Sequence, residues 1–220
     1  MIGFAHRGAP RTRAEENTVA AFERALALGV GGLESDVALS RDGIPVLHHP
    51  RLFRRRLRIA DLTFADLPAH VPSLADLYER GGATFQLSLD MAAPDAAERV
   101  VATADRFGAR DRLWLTYWRL PVLSEWRRRW PDLHLVYPTI PLAPGRMDRL
   151  LDRLAAQGVN VLNVHHRFCT PALAARVHAS GLGVFAWGVH RRRQLVRLLR
   201  AQIDGVFCDD AEALAALTPG

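Results

Sequence analysis

Lysine is absent from this chain: all 29 basic residues among its 220 are arginine. We read this as a composition bias, and it leaves guanidinium and imidazole groups as the cations for any chemistry on an anion. Cysteine is nearly absent too, and Cys169 and Cys208 alone do not call for a disulfide framework. No stretch reaches the roughly 18 uninterrupted apolar residues of a membrane-spanning helix. The chain enters its first apolar run directly at Met1-Ile2-Gly3-Phe4, without a basic leader. A cytoplasmic protein without stable membrane insertion is therefore expected. Zinc-finger spacings, RNA-binding aromatic motifs, linkers and low-complexity tracts are also missing. The formal net charge of +6 is scattered over many predicted helices, so a small anionic molecule is expected as partner and nucleic acid is not.

What is present is an ordinary globular composition, 49% hydrophobic and 24% charged, long enough for one sizeable core. Strand-like runs occupy residues 2–5, 32–39, 85–89, 113–118, 133–139, 159–164, 184–189 and 205–208. A further run at 44–49 follows the turn Ser40-Arg41-Asp42-Gly43 and reads as the return strand of a hairpin. Between the runs lie helical patterns, among them 96–107, 120–129, 147–157, 171–179 and 191–201. Asn17 is expected to cap the first helix and Ser73 the second. Eight strand–helix units in this length predict an α/β fold, a (β/α)8 TIM barrel with a short hairpin insertion after strand two. Residues 1–220 are expected to form a single domain.

The chemistry-bearing residues gather at predicted strand ends. His6-Arg7-Gly8 closes the first run, and the second alternates so that Glu34 and Asp36 point the same way. In the next barrel strand Gln86, Ser88 and Asp90 share the inner face. Three acids on one rim suit a divalent cation, Mg²⁺ or Ca²⁺. Arg7 can hold two oxygens of a phosphate, while His6 and His48 can carry protons. For Glu16, orienting Arg7 or His6 and favouring the start of the first helix are equal alternatives. Trp187 either walls the pocket or packs in the core. His165 and His166 follow a strand end, where one of two adjacent side chains is expected to face the mouth and the other solvent. The arginine runs 54–56 and 191–193 are read as solvated faces, and Asp209 and Asp210 as structural.

His6-Arg7-Gly8, Glu16-Asn17-Thr18, Glu34-x-Asp36-Val37 and Asp42-Gly43-x-x-Val46-x-His48 together resemble the signature of glycerophosphodiester phosphodiesterases. The ordered match spans about the first fifty residues, with weaker likeness to near the C-terminus. The resemblance implies a metal-dependent hydrolase that converts glycerophosphodiesters to glycerol phosphate and an alcohol. It implies His6 and His48 as the acid–base pair and a third acidic ligand at Asp90. The chain departs from that pattern at Glu15, where the family usually has proline, at His49, where it has aspartate, and at Ala92, where lysine is common. The segment 51–70 is also short beside the family's usual cap. The same core acting on lysophospholipids or other phosphodiesters, or a non-catalytic phosphate- or lipid-binding barrel, are the alternatives.

The hairpin register makes a geometric expectation. A three-residue loop of Arg41-Asp42-Gly43 pairs Ser40 with Ile44 and sets His48 opposite Asp36, so that the His48 ring is expected to point into the barrel mouth and join the metal site, with His49 on the other side. A two-residue loop would exchange the two histidines.

Overall fold

The computed structural model describes residues 1–49, 58–140 and 142–218. Parallel strands β1 (Ile2–His6), β2 (Gly32–Leu39), β4 (Gln86–Met91), β5 (Leu113–Thr116), β6 (His134–Thr139), β7 (Val161–His165), β8 (Gly183–Val189) and β9 (Gly205–Cys208) form the barrel. It closes because β1 pairs in parallel with both β2 and β9. Strand β3 (Pro45–Leu47) stands outside this ring, antiparallel to β2. Helices α1 (Val19–Ala27), α2 (Leu74–Gly81), α3 (Ala97–Arg106), α4 (Leu120–Arg129), α5 (Pro144–Ala156), α6 (Pro171–Ala179), α7 (Arg192–Arg200) and α8 (Ala211–Leu217) follow the barrel strands in turn. The fold is the eight-fold α/β barrel that the alternation of strand and helix patterns predicts.

Period-two alternation decides what the barrel encloses. Phe4, Val136, Val161, Phe185 and Phe207 pack together beneath the mouth, each almost fully buried. The large rings fit because glycines face them: a Cβ at Gly205 would lie 2.6 Å from the Phe185 ring. Truncating Phe4 to alanine would cost about 3–5 kcal/mol, since it removes a ring packed against Trp114, Phe185 and Phe207. One step further along the strands the enclosed side chains turn polar. His6 lies in register with Glu34, Asp36 with Asp90, and Asp90 with Thr116.

Of the two expected helix caps, one is found. Ser73 caps α2, its Oγ accepting from Asp76 N, and Ser73 N in turn donates to the Asp76 carboxylate. The cap of α1 differs from expectation. Thr18, not Asn17, accepts from Ala21 N. Asn17 is buried with φ near +57°, its side chain turned toward β2. The loop after β3 contains two short 3-10 turns, Ile59–Asp61 and Phe64–Asp66. The arginine run at 54–56 lies outside the described residues.

Candidate active site

The mouth is built first from the turn that ends β1. Arg7, Gly8 and Ala9 all have positive φ, a conformation that costs a non-glycine residue about 1 kcal/mol or more. Gly8 has a steric reason besides: a Cβ there would sit 2.9 Å from Ala21 Cβ on α1. The strained turn aims the Arg7 main chain at the acids, and Arg7 N donates to Glu34 Oε2 at 2.9 Å. Asn17 N secures the turn by donating to Arg7 O at 3.1 Å. The guanidinium is held from two sides. Its Nη1 donates to Glu16 Oε2 at 2.8 Å, and its Nε lies 3.2 Å from Asp36 Oδ2. Of the two readings open for Glu16, the one with Arg7 is the contact made.

Glu34, Asp36 and Asp90 meet at the foot of the mouth, with oxygens within 4.8 Å of one another. Burial, reinforced by Asp36 and Asp90 and partly offset by His6, raises Glu34 to about 8. Asp90, open to the mouth, also lies above the ordinary carboxylate range, through desolvation by the surrounding barrel wall and the neighbouring Asp36. Three acids share the Arg7 guanidinium and the His6 ring, so the cluster keeps net negative charge when fully ionised. An all-oxygen donor set of this kind fits a hard divalent cation, which would offset that charge.

His6 stands beside the acids, its Nε2 3.9 Å from Glu34 Oε2. Its Nδ1 is 2.6 Å from Oδ1 of Asp209, just past the end of β9. The other oxygen of Asp209 bonds Nδ1 of His190. Burial alone would lower the His6 pKa, but Glu34 and Asp209 outweigh it and raise the value to about 9. Asp209 is thus a site residue, although its place in the sequence suggested a structural role. The signal was available in the alternation Gly205-x-Phe207-x-Asp209, which puts Asp209 on the inner face. Asn17 was likewise missed: its Oδ1 accepts from Ser35 Oγ at 2.7 Å and its Nδ2 approaches Asp36 Oδ2 at 3.5 Å.

The hairpin has the three-residue register. Ser40 N donates to Ile44 O, Val37 pairs with Leu47, and His48 N donates to Asp36 O at 3.0 Å. Gly43 has φ near +79°, as the closing position of that loop requires. His48 nevertheless lines a separate cavity of about 150 Å³, together with Glu16, Asn17 and His70. His49 lines the same cavity rather than the opposite side. Burial pushes His48 below its ordinary pKa.

The main cavity, about 730 Å³, is lined on one side by His6, Arg7, Glu34, Asp36 and Asp90, with Arg7 its one arginine among the described residues. Its other side is apolar and aromatic, formed by Trp118, Ile140, Trp187 and Phe207 with His165 and His190. Trp187 is a wall residue, in edge contact with His165 at 4.6 Å between ring centres. Of the adjacent histidines, His165 faces the cavity. His166 turns away to Gln194 and Arg197, and burial, with His165 and Arg197 as cationic neighbours, pushes it to about 4.

The chain is similar to known proteins over nearly its whole length. The chain is 24% identical over 240 residues to a glycerophosphodiester phosphodiesterase of Caldanaerobacter subterraneus subsp. tengcongensis, covering 97% of this chain and 96% of that protein. A glycerophosphodiester phosphodiesterase of Bacillus altitudinis is 25% identical over 231 residues, with 94% and 93% covered. Among solved structures, an Oleispira antarctica phosphodiesterase in complex with the product sn-glycerol-3-phosphate superposes with a TM-score of 0.85. That likeness covers 100% of this chain and 97% of the other, at 21% identity. A glycerophosphodiester phosphodiesterase from Thermotoga maritima gives 0.83 at 23% identity, over 99% and 98%. The model of the glycerophosphoryl diester phosphodiesterase family matches residues 6–213, and the chain belongs to that family of phosphoric diester hydrolases.

Proposed function

We propose that the chain acts as one domain and hydrolyses glycerophosphodiesters to glycerol phosphate and an alcohol, in a reaction that depends on a divalent cation. The observation that carries this reading is the convergence of three carboxylates within 4.8 Å, beside Arg7 and His6 in one cavity. A Mg²⁺ or Ca²⁺ ion held by Glu34, Asp36 and Asp90 would neutralise the acids and polarise a bound phosphate. Arg7, anchored by Glu16, keeps donor capacity for a phosphate oxygen and opposes charge that grows in the transition state. Because Asp209 occupies Nδ1 of His6, the free Nε2 is the atom that exchanges a proton with the reacting oxygen. His48 serves as the second proton carrier only if its ring turns into the main cavity from the neighbouring one it lines, where its main chain is bonded to Asp36. Trp187 bounds the space for the alcohol portion.

The product named for the Oleispira antarctica protein, sn-glycerol-3-phosphate, is the product expected here. The test is release of sn-glycerol-3-phosphate from glycerophosphocholine with Mg²⁺ or Ca²⁺ present and with excess chelator. Cation-stimulated release supports the proposal. Binding of glycerophosphocholine without any release under either condition would reassign the barrel to a non-catalytic binding role.

A further inference from the structure

The described residues include six large hydrophobic side chains that are exposed, and their placement is uneven. Leu28 lies at the C-terminal end of α1, on the far face of the barrel. The other five are Trp118, Ile140, Leu142, Phe168 and Trp187. They stand at or just beyond the ends of β5, β6, β7 and β8, four strands that neighbour one another in the ring. They therefore form one apolar arc on the rim, in which Trp118 at 65% and Ile140 at 69% are the most exposed. Such an arc costs solubility unless something covers it.

The charge around the arc identifies the cover. Residues 117–119, 140–143, 166–170 and 190–193 contain no aspartate or glutamate. They contain Arg119, Arg167, Arg191, Arg192 and Arg193, all exposed. The Arg119 guanidinium sits 5.8 Å from the Trp118 ring centre, so cation and aromatic face are presented together. Apolar side chains flanked by arginine, with no acid in these rim segments, match an anionic lipid–water interface. A second protein surface would more often meet a mixed-sign rim. Three of the arc residues, Trp118, Ile140 and Trp187, also line the main cavity, so the arc is continuous with the site.

We propose that this arc is a peripheral docking surface that seats the barrel mouth on an anionic lipid surface. Contact is shallow: no helix among the described residues is long and apolar enough to cross a membrane. The arc inserts side chains at headgroup level while the arginines meet lipid phosphates.

The test is co-sedimentation of the full chain with phosphatidylcholine vesicles, with and without phosphatidylglycerol, at low and high salt. Binding is expected for the phosphatidylglycerol vesicles and is expected to weaken with salt. The double variant Leu142→Ser, Phe168→Ser alters two arc residues that do not line the cavity. It should lose at least about tenfold in vesicle affinity while hydrolysis of soluble glycerophosphocholine stays within about twofold. Arg167→Gln with Arg192→Gln should remove the preference for phosphatidylglycerol. No sedimentation at low salt, or equal sedimentation of wild type and the serine variant, would overturn the proposal. So would a solution dimer that the serine variant abolishes, since the occupant would then be a second copy. Vesicle binding is read without turnover, so its failure is distinct from a failure of the proposed hydrolysis.

Discussion

Oδ1 of Asp209 lies 2.6 Å from Nδ1 of His6, a contact that joins residues 203 positions apart. Barrel closure makes it, by pairing β9 with β1. With Nδ1 engaged, His6 presents Nε2 to the cavity in a fixed orientation, and His190 steadies the other Asp209 oxygen.

Asp209→Asn keeps the shape and removes the charge. We expect kcat on glycerophosphocholine to fall about 10- to 100-fold with KM nearly unchanged, as for other groups that orient a reacting side chain. Steady-state kinetics on the folded variant, checked by circular dichroism, decides this. A matched rise in KM without loss of kcat would place Asp209 in substrate binding instead.

The same pair gives stability a pH signature in the cation-free protein. His6 is raised from 6.5 to about 9, so its contribution is fully present below about pH 6.5 and is lost as pH rises through about 9. Asp209 is held below its ordinary range by His6 and His190, against the effect of burial, so its part is lost on acidification. The difference in melting temperature between wild type and Asp209→Asn should be greatest near about pH 6 and should close above about pH 9. A difference independent of pH would show that the contact carries no charge.

Chelation should abolish hydrolysis, and Mg²⁺ or Ca²⁺ should restore it. Asp36→Ala should cost more than about tenfold in cation affinity and in rate, because a three-acid site cannot readily replace one ligand. Calorimetric titration of the cation reads the affinity directly. Undiminished turnover in excess chelator would move the chemistry to His6 and Arg7 without a metal.

Arg7 is the cavity's one arginine among the described residues, and Ala92 stands where a lysine is common in the family. Arg7→Lys keeps a charge but not the two-pronged grip, and it loses the simultaneous contacts to Glu16 and Asp36. We expect at least about a tenfold loss in kcat/KM. A near-normal rate would show that a group outside the present cavity lining meets the phosphate.

Asn17 combines positive φ with side-chain contacts to Ser35 and Asp36. Asn17→Gly tolerates the backbone and loses only the contacts; Asn17→Ala loses both. Urea unfolding should show the alanine variant less stable than the glycine variant by about 1 kcal/mol. The reverse order would mean that the φ of this residue relaxes at no cost.

What the sequence determined by itself follows from local periodicity. Alternation placed Glu34 with Asp36, and Gln86, Ser88 and Asp90 on one face, because side chains in a strand repeat every two residues. Strand-helix cadence implied the barrel, and a three-residue turn at Arg41-Asp42-Gly43 set the hairpin register. Tertiary structure decided the rest. Asp209 reaches His6 only because the first and last strands meet. Asn17 was drawn from its capping role by contacts with β2 that a local rule cannot weigh. His165 and His166 separate because α7 supplies Gln194 and Arg197 to one of them. His48 has the register inferred for it but lines its own cavity, since pairing fixes the backbone partner and leaves the ring's surroundings to Glu16, Asn17 and His70. The apolar arc is likewise invisible along the chain: its five residues come from four separate segments and become one surface only when β5 to β8 stand side by side.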